Sequence, residues 1–416
     1  MPPFRRLRRF AVDITPLRRS RDFRLLWFAE LVSQIGSQIA VVALFVQVDR
    51  LTGSAAAVGL IGLTQLIPSI FASFAIGPLI DRMDRRVIMR WAQLGLAATS
   101  SLLLIGALNG DPPLALLYVA AALNASLSSI VLSTRAAITP NVVPAELLPA
   151  SSALNQAMWS TAGIVGFALG GVIVGGIGLS WAYGIDLATY VAAFGLTLLL
   201  SAQRPKGEPG PERGMAAALA GMHFLKGKRV LQSTFTVDIV AMVFGMPRAL
   251  FPILAREHFD RGPTAVGFLF AAVAVGALIG AVASGWIGRI QRHGLAILLA
   301  VTVWGAAITM FGLVDNFVVA LVCLAIGGGA DVISAVFRNT IQQLTVPDEL
   351  RGRMSAFNIL VVSGGPRLGD LEAGLVAAAT SPVFSVVSGG LLCLAGVGVI
   401  AARVPRFARW RPGDAP

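Results

Sequence analysis

The residues of this chain best placed to do chemistry are carboxylates and arginines set inside otherwise apolar stretches. In residues 364–374 the run GGPRLGDLEAG carries Arg367, Asp370 and Glu372 directly behind Pro366. Arg367 and Asp370 stand three apart, so on a helix they share a face and can pair. Glu372, two residues further on, points to another face. Glu30, Gln34 and Gln38 recur every four residues with Ser33 and Ser37 beside them, which predicts one polar helix face. Asp238 stands in a third stretch, and Asp331 precedes Arg338 by seven residues, two turns along one face.

Such groups offer reversible proton binding. A carboxyl in a desolvated site keeps its proton until a cationic partner approaches, and takes it back when that partner leaves. For each group a static ion pair is the competing reading. Glu30 would then be the partner of a neighbouring arginine, Asp331 a brace for Arg338, and Asp370 a pin, with Arg367, for a helix loosened by proline and glycines. Asn124, Gln34, Gln38, Trp159 and Arg367 are the candidates for a substrate cavity. Trp159 would stack on an aromatic cargo or simply pack between helices. Arg248 and Arg256 would attract an anionic substrate or snorkel to the interface.

Other chemistries lack their residues. The three histidines, His223, His258 and His293, fall in or near loops without metal-ligand spacing, and the two cysteines, Cys323 and Cys393, sit in apolar stretches. No nucleophile–base set is present, so the chain does not read as an enzyme, and no cofactor or metal is expected. A channel would show rings of like charge or a filter sequence, and neither is found.

The elements that must position these charges are membrane helices. A spanning helix needs about 20 mostly apolar residues, and twelve such stretches occur, at 23–48, 55–79, 87–108, 113–134, 154–177, 181–201, 230–254, 264–287, 295–314, 317–337, 356–379 and 383–402. Basic residues collect on alternate connections, the pattern of cytoplasmic loops. Arg5, Arg6, Arg8, Arg9, Arg18, Arg19 and Arg21 precede the first span, Arg82, Arg85, Arg86 and Arg90 follow the second, and Arg403, Arg406, Arg409 and Arg411 close the chain. The opposite loops hold only Arg50, Arg256 and Arg261. Both termini are therefore expected in the cytoplasm. The net charge of +12 lies beside lipid headgroups, which argues against a nucleic-acid partner. Residues 4–10 (FRRLRRF) would be a surface anchor, either a short amphipathic helix or disordered. Trp27, Trp91, Trp181 and Trp410 fall near the interfaces, where indoles collect.

The division expected is a basic tail at 1–22, a six-helix bundle at 23–201, a cytoplasmic linker at 202–229, a second six-helix bundle at 230–402 and a tail at 403–416. Two blocks repeat across the linker. Arg135, Pro144, Glu146, Leu147, Ser152, Ala153 and Asn155 recur 203 positions later as Arg338, Pro347, Glu349, Leu350, Ser355, Ala356 and Asn358. Ala57, Val58, Gly59 and Gly77 recur 208 positions later as Ala265, Val266, Gly267 and Gly285. An even number of spans per half makes this a parallel repeat about an axis along the membrane normal. Two like bundles around a central cavity are the architecture of alternating access. Each chain holds both halves, so a monomer suffices.

The loop at 77–86, GPLIDRMDRR, resembles the cytoplasmic signature of the major facilitator superfamily: a glycine, an Asp-Arg pair and trailing basic residues. The resemblance implies an all-α integral membrane protein of twelve transmembrane helices in two six-helix pseudo-repeats. In that family Gly77 lets the helix end approach its neighbour, and Asp81, Arg82, Arg85 and Arg86 latch the cytoplasmic side. Arg135 and Arg338, read as ending equivalent helices, join this gate. In the second half the loop at 285–289, GWIGR, has Arg289 where the acid would stand, so that latch is weaker. The fifth span carries Ala162, Gly166, Gly170 and Gly171, close to the superfamily's antiporter motif, with Phe167 where proline is usual. Small residues at this spacing also serve plain helix packing.

The eleventh-span run, with residues 265–272 (AVGFLFAA), resembles the enterobactin-exporter branch over nearly the whole chain. That resemblance implies proton-driven export of a siderophore or a similar bulky molecule from the bacterial plasma membrane. It makes Asp370 the first choice for the coupling acid and Glu372 the second, ahead of Glu30 and Asp238. Macrolide and other drug efflux pumps share the pattern and are the alternative.

Overall fold

The computed structural model describes residues 13–205, 215–283, 290–347 and 350–414. Residues 4–10, Lys206, Arg213, the 285–289 loop and Glu349 lie outside the described residues. Every regular element described is helical.

Twelve long helices form the body: α1 (Arg21–Thr52), α2 (Ala55–Ala75), α3 (Arg85–Leu108), α4 (Leu114–Val142), α5 (Leu148–Gly176), α6 (Leu179–Leu198), α7 (Arg229–Phe244), α8 (Pro263–Ala283), α9 (His293–Leu313), α10 (Phe317–Thr345), α11 (Arg351–Ala379) and α12 (Pro382–Arg403). Ten of them carry a window apolar enough to cross a membrane. The other two, α6 and α11, hold Asp186 and the Arg367, Asp370, Glu372 set. Large apolar side chains such as Phe71, Leu108, Val282 and Val318 face outward, as a lipid-facing surface requires. Trp91 and Trp181 are exposed at opposite ends of the body, whereas Trp410, in the C-terminal segment, is buried against His293.

Polar residues set the helix starts. Ser20 accepts a hydrogen bond from the Phe23 N–H, Ser54 from Ala57, Asp84 from Arg86, Asn316 from Val318 and Val319, and Ser381 from Phe384. Each such cap contributes about 1 kcal/mol. Gly53, in the left-handed region at φ 57°, stops α1.

Twelve crossings leave both termini at one end of the bundle, the terminal end; the opposite end is the far end. The repeat is visible in the lengths: α2 and α8 both have 21 residues, while α4, α10, α5 and α11 each have 29. The two α4/α10 helices run past the apolar stretches by eight residues each, so Arg135 and Arg338 do not end their helices. Each lies seven residues inside the helix end, because helical hydrogen bonding continues beyond the hydrocarbon layer that the apolar run measures.

Two further expectations are corrected. The seventh span is interrupted at Gly245, Met246 and Pro247 and resumes as a short helix, Phe251–Glu257. Proline there removes a backbone donor and crowds the preceding turn. The eleventh, expected to loosen at Pro366, is continuous through it. Its glycines serve packing instead: a Cβ on Gly365 would lie 2.8 Å from that of Met242 on α7. The linker carries a ten-residue helix, Met215–Phe224, whose Gly221 lies close against the Arg353 carbonyl on α11.

The two halves meet through α2 on α11 and α5 on α8. Glycine faces glycine at both crossings: a Cβ on Gly374 would lie 2.8 Å from Gly59 Cα, and one on Gly171 2.7 Å from Gly267 Cα. These contacts occupy the far ends of the four helices. Towards the terminal end, past Leu66 and Gly364, α2 and α11 part around a cavity.

Candidate functional site

The cavity has a volume of about 590 Å³, within the usual range for small-molecule sites. From the first half, α1 contributes Glu30, Gln34 and Ser37, α2 contributes Ser69 and Ser73, and α5 contributes Trp159. From the second half come Arg248, Ser363 and Arg367. Serine hydroxyls line much of the wall, several of them also bonded to their own helix one turn back. Gln38, expected on the same stripe as Gln34, does not line the cavity; its Cβ packs on Gly166 of α5. Four-residue steps overshoot the 3.6-residue turn, so the stripe drifts around α1 and its third member reaches the neighbouring helix. Asn124 also stands back from the wall, behind Tyr190, whose hydroxyl lies against Ser37 and Asn124.

At the sealed floor of the cavity sits an ion pair joining α11 to the segment that follows the break in α7. Arg248 Nη2 lies 2.7 Å from Asp370 Oδ2, and Asp370 is 2% exposed. Its second oxygen, Oδ1, and Arg248 Nε have no hydrogen-bond partner. The expected pairing of Asp370 with Arg367 is not what forms: Arg367 Nη1 donates to Ser69 Oγ at 2.6 Å, across to α2. The break in α7 brings Arg248 to this position. Just beside it, a Cβ on Gly62 would lie 3.0 Å from the Asp370 Cβ, so the acid sits where the halves close. Glu372 is half-buried and away from the cavity wall.

The repeat places two more ion pairs nearer the terminal end. Glu30 and Asp238 each stand nine residues into their helices, α1 and α7. Glu30 Oε1 lies 3.5 Å from Arg135 Nη1, and Gln34 donates to the same oxygen. Arg135 also donates to Asn155 Oδ1 at 2.7 Å. In the second half Arg338 donates to Asp238 and lies 3.7 Å from Asp331. Asn358, the counterpart of Asn155, accepts from Gln342 instead.

The loop motif is arranged differently from its expected latch. A Cβ on Gly77 would meet nothing within 4 Å, so this glycine is not a close-approach residue here; the helices it would close against stand apart at this end. Arg85 donates to the Ala137 and Ile80 carbonyls, and Arg86 pairs with Asp84 at 2.9 Å. Arg82 is exposed, and Asp81 is half-buried within the loop.

Two features escaped the sequence reading. Asp186 on α6 is fully buried, with Oδ2 2.5 Å from Ser100 Oγ and Oδ1 unpartnered. An acid in an apolar stretch was the available signal. At the far end Arg256 Nη2 bridges Asp49 of α1 at 3.1 Å and Glu257 at 3.2 Å, tying the halves together.

Comparison with known proteins agrees with this architecture. The family model described as transmembrane secretion effector matches residues 11–411. The enterobactin exporter EntS of Escherichia coli O1:K1 is 27% identical over 406 residues, covering 96% of this chain and 97% of that one, and EntS of Shigella boydii serotype 18 matches equally. Among solved structures, a mutant of the nucleoside transporter NupG superposes with a TM-score of 0.74 at 14% identity, covering 92% of this chain and 99% of its own. A bacterial homologue of the human lysosomal transporter Spinster, inward-facing and unoccupied, gives 0.68 at 16% identity, covering 94% and 100%. With twelve helices in two matched halves around a polar cavity, the chain belongs to the transmembrane secretion effector family of major facilitator transporters.

Proposed function

We propose that this transporter exports a bulky small molecule bearing an anionic group, of the siderophore kind, in exchange for protons. The observation that carries the reading is the floor of the cavity. Two arginines, Arg248 and Arg367, face the space where cargo would sit, and one buried carboxylate, Asp370, answers them. With Glu30 matched by Arg135, the charges around the cavity leave one positive charge over, which favours an anionic cargo. Cargo seated on Arg367 holds Arg248 against Asp370, and a carboxylate whose cation is in place gives up its proton; when Arg248 withdraws in the other state, Asp370 takes a proton up. Cargo and proton are thereby linked through one arginine. The name of the EntS relatives supports export of a siderophore.

The terminal end is assigned to the cytoplasm, on the basic loops there, in a bacterial plasma membrane. The cavity then faces inward, as an exporter must to load. Arg85, Arg86 and the surrounding loop would close that side in the outward-facing state, while Asp49–Arg256 and the glycine crossings open. One chain is the working unit. The test is uptake into inside-out vesicles under an imposed proton gradient, with a catecholate siderophore and a macrolide as separate cargoes. Gradient-dependent uptake of the siderophore is expected. Uptake of the macrolide alone would reassign the cargo to drugs.

A further inference from the structure

A second cavity, of about 860 Å³, lies at the terminal end of the second half and takes no part in the transport path described above. It is built from the start of α7, the end of α10 and the segment after α12. Its wall carries Lys228, Arg229, Arg403, Arg406 and Arg409, and among the described residues its one carboxylate is Asp414. Asp414 is partly engaged already, accepting from the Arg411 N–H at 2.8 Å. Lys228 stacks on the Phe224 ring. Four net positive charges thus converge on one concave site.

Two independent features show donors without acceptors there. Thr345, in the wall, has a buried Oγ1 with no hydrogen-bond partner. The sixteen-residue α7 begins in the wall at Arg229 with no side chain capping it. The Arg229 N–H donates to the Gly227 carbonyl, and the N–H groups of Val230 and Leu231, with the positive end of the helix dipole, are left for an anion. The segment Pro405–Arg409 is itself fixed: Phe407 and Trp410 are buried, and Gly294 at the start of α9 packs closely on the Phe407 carbonyl. The arginines of this segment are therefore held in place around the cavity.

We propose that this cavity binds the phosphate headgroup of an anionic membrane phospholipid. Phosphate satisfies the donor set: guanidinium groups grip it in forked pairs, and hydroxyl and helix N-terminus complete the shell. The source is the bilayer, because the cationic wall is made where α7 and α12 leave their apolar stretches, at headgroup level. A bound lipid would join the linker side of α7 to the C-terminal segment and fix that end of the second half while the first half moves.

The test is the dissociation constant of a fluorescent phosphatidylglycerol for the purified full-length protein in zwitterionic detergent. Unlabelled phosphatidylglycerol, phosphatidylcholine and inorganic phosphate serve as competitors. Displacement by phosphatidylglycerol alone is expected. The variant Arg403→Gln/Arg406→Gln/Arg409→Gln should weaken binding at least tenfold, whereas Arg18→Gln/Arg19→Gln/Arg21→Gln, the same charge change at the exposed N-terminal segment, should leave it unchanged. Asp414→Asn, which removes the one acid, should tighten it, a gain that no misfolded variant would give. Equal loss in both triple variants would overturn the site, and displacement by inorganic phosphate at matched concentration would overturn the lipid as its ligand.

Discussion

The Arg248–Asp370 pair concentrates the energetics of the cavity floor in two side chains. Removing one partner of a buried pair leaves an uncompensated charge and costs about 3 kcal/mol or more, while replacing both by apolar groups is close to neutral. Arg248→Gln should therefore lower the melting temperature of the purified protein clearly more than Arg248→Leu/Asp370→Leu; equal losses would mean that the pair is not a buried unit. The same reasoning applies to Arg338, which serves two acids. Arg338→Gln is expected to destabilise more than Asp331→Asn, because Asp238 is the buried partner and Asp331 lies at the longer distance. That Glu30, Asp238 and Asp370 lie inside the body was legible from their presence in apolar stretches. Their partners were not, because spacing along one helix cannot show an arginine arriving from another: Arg367 had the right spacing for Asp370, and Arg248, 122 positions away, made the bond.

At the level of elements, the glycine crossings decide how closely the halves approach. A Cβ on Gly267 would come within 2.6 Å of Gly171 Cα, and the backbones there cannot yield without moving apart. Gly171→Val or Gly374→Val should hold the far end ajar, raising the reactivity of a cysteine placed at Ser54 towards an impermeant thiol reagent. Unchanged reactivity would show that these crossings do not form the seal. Gly77→Ala, by contrast, fills open space and should shift stability by less than about 0.5 kcal/mol. The sequence located twelve helices because the bilayer demands long apolar runs. It misplaced the ends of α4 and α10 and missed the break in α7, since helix continuation beyond the lipid and the choice between Pro247 and Pro366 as a break point depend on neighbouring helices. A proline in an apolar run marks a possible interruption; packing against α7 kept α11 continuous.

For the whole molecule, the two halves share the lengths of α2 and α8, α4 and α10, and α5 and α11, together with buried acid–arginine pairs and parallel orientation. They differ at the cavity floor, where the break in α7 brings in Arg248. The repeat was readable from two constant offsets, but the closed and open ends were not, because closure is set by contacts between the halves, such as Gly171 on Gly267 and Arg256 on Asp49, that lie far apart in the sequence. Closure at the far end rests on the glycine crossings and on Arg256, which holds Asp49 across the halves. Asp49→Cys/Arg256→Cys, cross-linked with a short bifunctional thiol reagent, should lock the cavity towards the terminal end and stop transport, with activity restored by a cleavable linker. The native Cys323 and Cys393 are buried and should not interfere. The central claim, that cargo and proton exchange through Asp370, is tested most directly by cargo-induced proton release in proteoliposomes, wild type beside Asp370→Asn. Release on adding a catecholate siderophore in the wild type, absent in a variant that still binds the cargo, is the predicted result. Equal release from the variant would contradict it.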